Sequence, residues 1–75
     1  MTTLRELRQR RMLTQKELAA LVETSYQTVQ AWESGQSRPR PGAQRRLCEA
    51  LGVQPEELFT ALDATAVAGK EAAAA

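Results

Sequence analysis

Thr14-Gln-Lys-Glu-Leu-Ala-Ala-Leu-Val-Glu-Thr-Ser-Tyr-Gln-Thr-Val-Gln-Ala-Trp-Glu-Ser-Gly35 is the stretch that decides the fold of this 75-residue chain. Thr14 and Glu17 have the spacing of a capping box, in which each side chain satisfies the other's backbone N–H. Leu13 and Leu18 occupy the two positions of a hydrophobic staple, so a helix begins here and carries Leu18, Ala19 and Val22 to a core. Glu23, Thr24 and Ser25 then form a short turn. Ser25 is the N-cap of a further helix that runs to Ser34 and stops at Gly35. Thr24 with Gln27 is a rival box that would move this start by one residue. With Val29 at the centre of the buried face, a turn of about 100° per residue brings Trp32 and Glu33 to that side. The opposite face carries Gln27, Ala31 and Ser34, flanked by Thr28 and Gln30, with Tyr26 at the N-terminal end.

The flanks continue the same grammar. Thr3 and Glu6 form an earlier capping box and start a helix to about Arg11, with Leu4, Leu7, Arg8 and Arg11 on one face. Residues 36–41 form a loop, because Arg38 and Arg40 precede prolines and are pushed out of helical geometry. A fourth helix spans about Gly42 to Leu51 and ends at Gly52. The fifth opens with Gln54 as cap, Pro55 in its first turn, Glu56 and Glu57 at its positive end, and a Val53–Leu58 staple. The spacing predicts an all-α domain of five helices over residues 1–62. From Asp63 the pattern fades into alanine, and residues 63–75 are expected as a flexible C-terminal tail.

Composition narrows the function. The chain has no histidine, which removes the commonest general base and zinc ligand. No nucleophile–base pair, metal-spaced cluster or phosphate-cradling glycine loop is present, so no enzyme, metal or cofactor is expected. The one cysteine, Cys48, cannot form an internal disulfide; it fits a reducing cytoplasm and reads as a small core residue. No apolar run approaches the ~20 residues of a membrane span, and no basic-then-apolar leader opens the chain. The net charge of +1 conceals a division. Residues 1–48 hold nine Lys/Arg against four acids, a surplus of +5, while residues 49–75 hold one lysine against five acids, −4. A basic body suits a polyanion.

Two short helices joined by a tight turn, the second presenting small and amide side chains, describe a helix-turn-helix able to enter the DNA major groove. The ordered stretches Leu4-Arg-Glu-Leu-Arg8, Leu13-Thr-Gln-Lys-Glu-Leu-Ala19, Val29-Gln-Ala-Trp-Glu-Ser-Gly35, Leu47-Cys-Glu-Ala-Leu-Gly-Val53 and Glu57-Leu58 resemble the Cro and repressor (XRE-type) helix-turn-helix family of lambdoid phages. The resemblance covers residues 4–59 and implies a domain that binds double-stranded DNA as a homodimer. It places Tyr26, Gln27 and Ala31 at base-reading positions, and Gln30 shares their face. It places Gln15, beside Lys16, at a phosphate and against the first recognition residue. Ser25, Thr28, Gln36, Ser37, Arg38 and Arg40 match further phosphate contacts, which arginines and helix N-termini suit. Arg8 and Glu33 match a pair joining the first helix to the third; each also needs a partner at the core's edge on physical grounds.

Glu23 departs from the pattern, since it stands where the family has glycine and must take a strained positive φ. Thr24 stands where the family has an apolar plug, and the loop through Pro39 and Pro41 is about one residue longer. The expected function is a cytoplasmic transcription regulator, a repressor on a palindromic operator. The alternative is an antitoxin or adaptor whose alanine-rich tail folds on a protein partner. The dimer contact is expected around Val53, Pro55, Phe59 and Leu62.

Overall fold

A computed structural model describes the backbone of residues 2–74 and the side chains of residues 2–69. Five helices follow in order: α1 (Leu4–Arg10), α2 (Gln15–Leu21), α3 (Tyr26–Glu33), α4 (Pro41–Leu51) and α5 (Pro55–Ala74). No strand occurs among the described residues. The fold is all-α, as the spacing predicts.

The local signals act where the chain carries them. Glu17 N–H donates to Thr14 Oγ1 (3.1 Å) and Thr14 N–H donates to Glu17 Oε1 (2.9 Å), closing the box in both directions. The Thr14 backbone N–H first, and its hydroxyl second, hold the Glu17 carboxyl below its ordinary titration range. At Thr3 only half of the expected box forms: Glu6 N–H donates to Thr3 Oγ1, with no return bond. Ser25, not Thr24, caps α3, accepting from Thr28 N–H at 3.2 Å. α4 starts at Pro41, one residue before the expected Gly42. Arg40 is extended, and a proline at the first helical position gives up an N–H that would have no partner.

The interior is one cluster. Leu4, Leu7, Leu18, Val22, Val29, Trp32, Leu47, Leu51, Leu58 and Leu62 are all buried in it. α2 packs on α3, while α1 and α4 both pack on α5. Cys48 lies half-buried against this cluster, and burial, more than the charges of Glu56 and Glu49, raises its thiol above its ordinary value.

The largest departure concerns residues 63–75. The expected boundary at 62/63 falls inside a helix, because α5 continues through the start of the expected tail to Ala74; Ala75 lies outside the described residues. Ala64 and Thr65 are buried. The Thr65 hydroxyl accepts from Leu4 N–H (2.9 Å) and donates to Ala61 O (2.8 Å). Leu4 opens α1, so its N–H has no partner within its own helix; α5 supplies one. Further along, a Cβ on Gly69 would stand 2.5 Å from Ser34 O, so the backbones of α5 and the α3 terminus touch directly. Small residues thus serve a purpose that periodicity does not report: they let one helix lie against another's end.

Thr65→Val keeps the side chain's shape but strands the Leu4 N–H. Urea unfolding should show a loss of about 1–3 kcal/mol, and a loss below about 0.5 kcal/mol would deny the capping role.

Candidate nucleic-acid interface

Glu33 is the anchor of the helix pair. Arg8 Nε donates to its Oε2 at 2.6 Å and Arg8 Nη2 to its Oε1 at 3.2 Å. Gln15 Nε2 adds a third bond to Oε1 at 3.0 Å, while Arg8 Nη1 reaches Leu13 O at 2.7 Å. The two charged side chains are 9% and 4% exposed, so each carries a desolvation cost that only this geometry offsets. Three helices and the α1–α2 turn are thereby fixed to one carboxylate.

Gln15 is thus also part of the brace, a role its sequence position did not announce. One of its two amide hydrogens is committed to Glu33, which leaves the other as the donor available to a phosphate. Its side-chain hydrogen bond within the protein goes to the Glu33 carboxylate.

With Val29 and Trp32 buried, α3 turns Gln27 and Gln30 to solvent and leaves Tyr26, Thr28 and Ala31 half-buried beside them. Gln30 Nε2 donates to Tyr26 Oη at 2.9 Å, and Lys16 Nζ lies 5.6 Å from the centre of the Tyr26 ring. Tyr26 is thus held between α2 and α3, with Gln30, expected at the bases, engaged in holding it. Gln27 makes no side-chain hydrogen bond among the described residues. The Ser25 and Thr28 hydroxyls bond each other at 2.8 Å at the helix start.

The loop after α3 is folded back. Gln36 N–H and Ser37 N–H both donate to Ala31 O, at 3.0 and 3.3 Å. Pro39 is buried and its carbonyl accepts from Gln44 Nε2 at 2.9 Å. Arg38 and Arg40, on either side of it, stay exposed. Arg38 Nη1 is bonded to Asp63 Oδ1 of α5 at 2.8 Å, both side chains lying in solvent. Arg40 has no ion pair among the described residues. Arg5, a residue that the motifs leave unassigned, lines a surface depression with Gln15, Gln30, Glu33 and Ser34. Its spacing of three from Arg8 was the available signal, since it sets both on one side of α1.

The turn between α2 and α3 holds Glu23 at φ 57, the strained conformation expected there, and its carboxylate meets Arg46 of α4 at 3.2 Å. A tight turn, a buried brace at Glu33 and an outward polar face on α3 are the parts of a helix-turn-helix, and the family model described as Helix-turn-helix (HTH_3) matches residues 4–58.

The chain belongs to the Cro/C1-type (XRE) helix-turn-helix family. No curated protein and no solved structure matches it significantly. Like the family, it is a DNA-binding transcription regulator. The family match ends at Leu58, at the first turn of α5, so the Thr65 and Gly69 contacts lie beyond it. No helix among the described residues is long and apolar enough to cross a membrane.

Removing the carboxylate in Glu33→Ala leaves the Arg8 guanidinium buried without its partner. The cost should be about 3–5 kcal/mol, read as a large fall in melting temperature; an unchanged melting temperature would refute the brace.

Proposed function

We propose that this regulator is a repressor that binds a near-palindromic operator as a homodimer, with α3 in the major groove. One observation carries the reading: the outward face of α3, set by the Glu33 brace, joins directly to an exposed basic loop. A helix about 10–12 Å across matches a major groove about 12 Å wide. Gln27 is free to pair with an adenine edge, and the Ala31 methyl can lie on a thymine methyl. Tyr26, steadied by Gln30 and Lys16, stands where α3 enters the groove. Arg40, Lys16, Ser25, Thr28, Gln36, Ser37 and the remaining Gln15 hydrogen supply phosphate contacts, with Arg5 added from α1. Arg38 joins them by exchanging Asp63 for a phosphate oxygen; an exposed ion pair is worth little, so the exchange is easy.

The homodimer is supported at the α4–α5 corner. Phe59 is 43% exposed beside a largely apolar groove of about 230 Å³ lined by Pro41, Gln44, Arg45, Cys48 and Pro55. Leu62, expected at this contact, is committed to the core instead. A two-fold axis there would set half-sites about 34–36 Å apart, and occlusion of a promoter would follow from occupancy alone. A cytoplasmic setting accompanies this reading. The adaptor alternative has less support, because Ala64 and Thr65 of the stretch assigned to a partner are already buried against this chain.

The test is competition binding on duplexes selected by the wild type from a random pool. Gln27→Ala should lose about 1–3 kcal/mol on the selected site and relax preference at one base pair. Arg40→Ala should weaken all sequences alike and lower the salt slope by about one. No preference over random duplex, or affinity independent of salt, would overturn the reading.

A further inference from the structure

The α1–α2 turn carries a feature that DNA reading does not use. Met12 sits at φ 57, a left-handed conformation that favours glycine, and the residue is 90% exposed. The chain thus holds a large apolar group in water at a position where it adds strain and no core. Leu21, 55% exposed at the end of α2, faces the same groove. This groove of about 360 Å³ is lined by Arg10, Arg11, Met12, Leu13, Leu21 and Ala50.

Its lining contains two arginines and no acid. Arg10 is shared with Glu57 in an exposed pair at 3.2 Å, while the Arg11 guanidinium lies over the Gly52 turn without an ion pair among the described residues. Along α2, at about 1.5 Å per residue, Leu21 is about 9 Å from Gln15, at the opposite end from the residues assigned to DNA.

We propose that this groove docks an acidic amphipathic segment of a protein partner. Apolar side chains of that segment would seat between Met12 and Leu21, and carboxylates beside them would meet Arg10 and Arg11. The apolar floor does not suit a phosphate backbone, and the basic rim selects an acidic protein face over a neutral one. The contact is small, which fits a transient partner and not an obligate subunit.

The test uses the full-length chain, labelled with ¹⁵N, and a synthetic amphipathic helix with leucines on one face and glutamates on the others. The same helix with lysines in place of glutamates is the control. The glutamate helix should shift the amides of Met12, Leu21 and Ala50, and the lysine helix should not. Met12→Gly removes the anchor while relieving the positive φ, so it should bind the glutamate helix about tenfold more weakly without a lower melting temperature. Its operator binding should be unchanged, which separates this proposal from the DNA-reading one. Equal shifts with the lysine helix, shifts confined to α5, or no effect of Met12→Gly would overturn it. So would movement of the same amides on concentrating the protein alone, which would make a second copy the occupant.

Discussion

One carboxylate organises the molecule. Glu33 closes α3, and through Arg8, Gln15 and the Leu13 carbonyl it fixes that helix to α1, to the start of α2 and to the turn between them. A buried ion pair is not in itself a strong source of stability, because desolvation consumes most of the Coulombic gain. What it provides is direction. A helix of eight residues with only Val29 and Trp32 fully buried could roll on a greasy surface. Three donors converging on one carboxylate remove that freedom, and the outward residues of α3 are then set by elimination.

The charge asymmetry along the sequence takes on a different meaning in three dimensions. The acidic C-terminal part does not stand apart from the basic body. Glu57 reaches Arg10 and Asp63 reaches Arg38, so α5 folds its charge back over two arginines. The positive groups left near α3 are Lys16, Arg40 and Arg5, a smaller and more localised set than the +5 of residues 1–48 suggests. Local placement, rather than total charge, is what a DNA backbone would meet.

Much of the fold was legible because its signals are local. The Thr14–Glu17 box, the Ser25 cap, the Gly35 and Gly52 stops and Pro55 act within a few residues of where they stand, and the helix order follows from them. The Arg8–Glu33 pair was legible for another reason: two charges on apolar faces require each other. What escaped depends on distance or on small residues. Thr65 bonds Leu4 across 61 positions, and nothing near either residue announces it. The alanine-rich stretch reads as weak, yet packing against α1 and the Gly35 turn orders its first half. Within the interface, the face of α3 was readable from 3.6-residue periodicity. The bonds made by Gln15, Gln30 and Arg38 were not, because a long polar side chain chooses its partner only once the tertiary fold brings it near.

The central claim is that the Arg8–Glu33 brace is a coupled unit, and a double-mutant cycle of denaturant unfolding measures that directly. Arg8→Met and Glu33→Leu each leave a buried polar group without its partner, whereas the double substitution removes both charges and keeps most of the volume. The structure predicts a double variant less destabilised than the sum of the singles by about 1–3 kcal/mol. Additivity within about 0.5 kcal/mol would contradict it, since the two residues would then contribute independently and α3 would be set by something else.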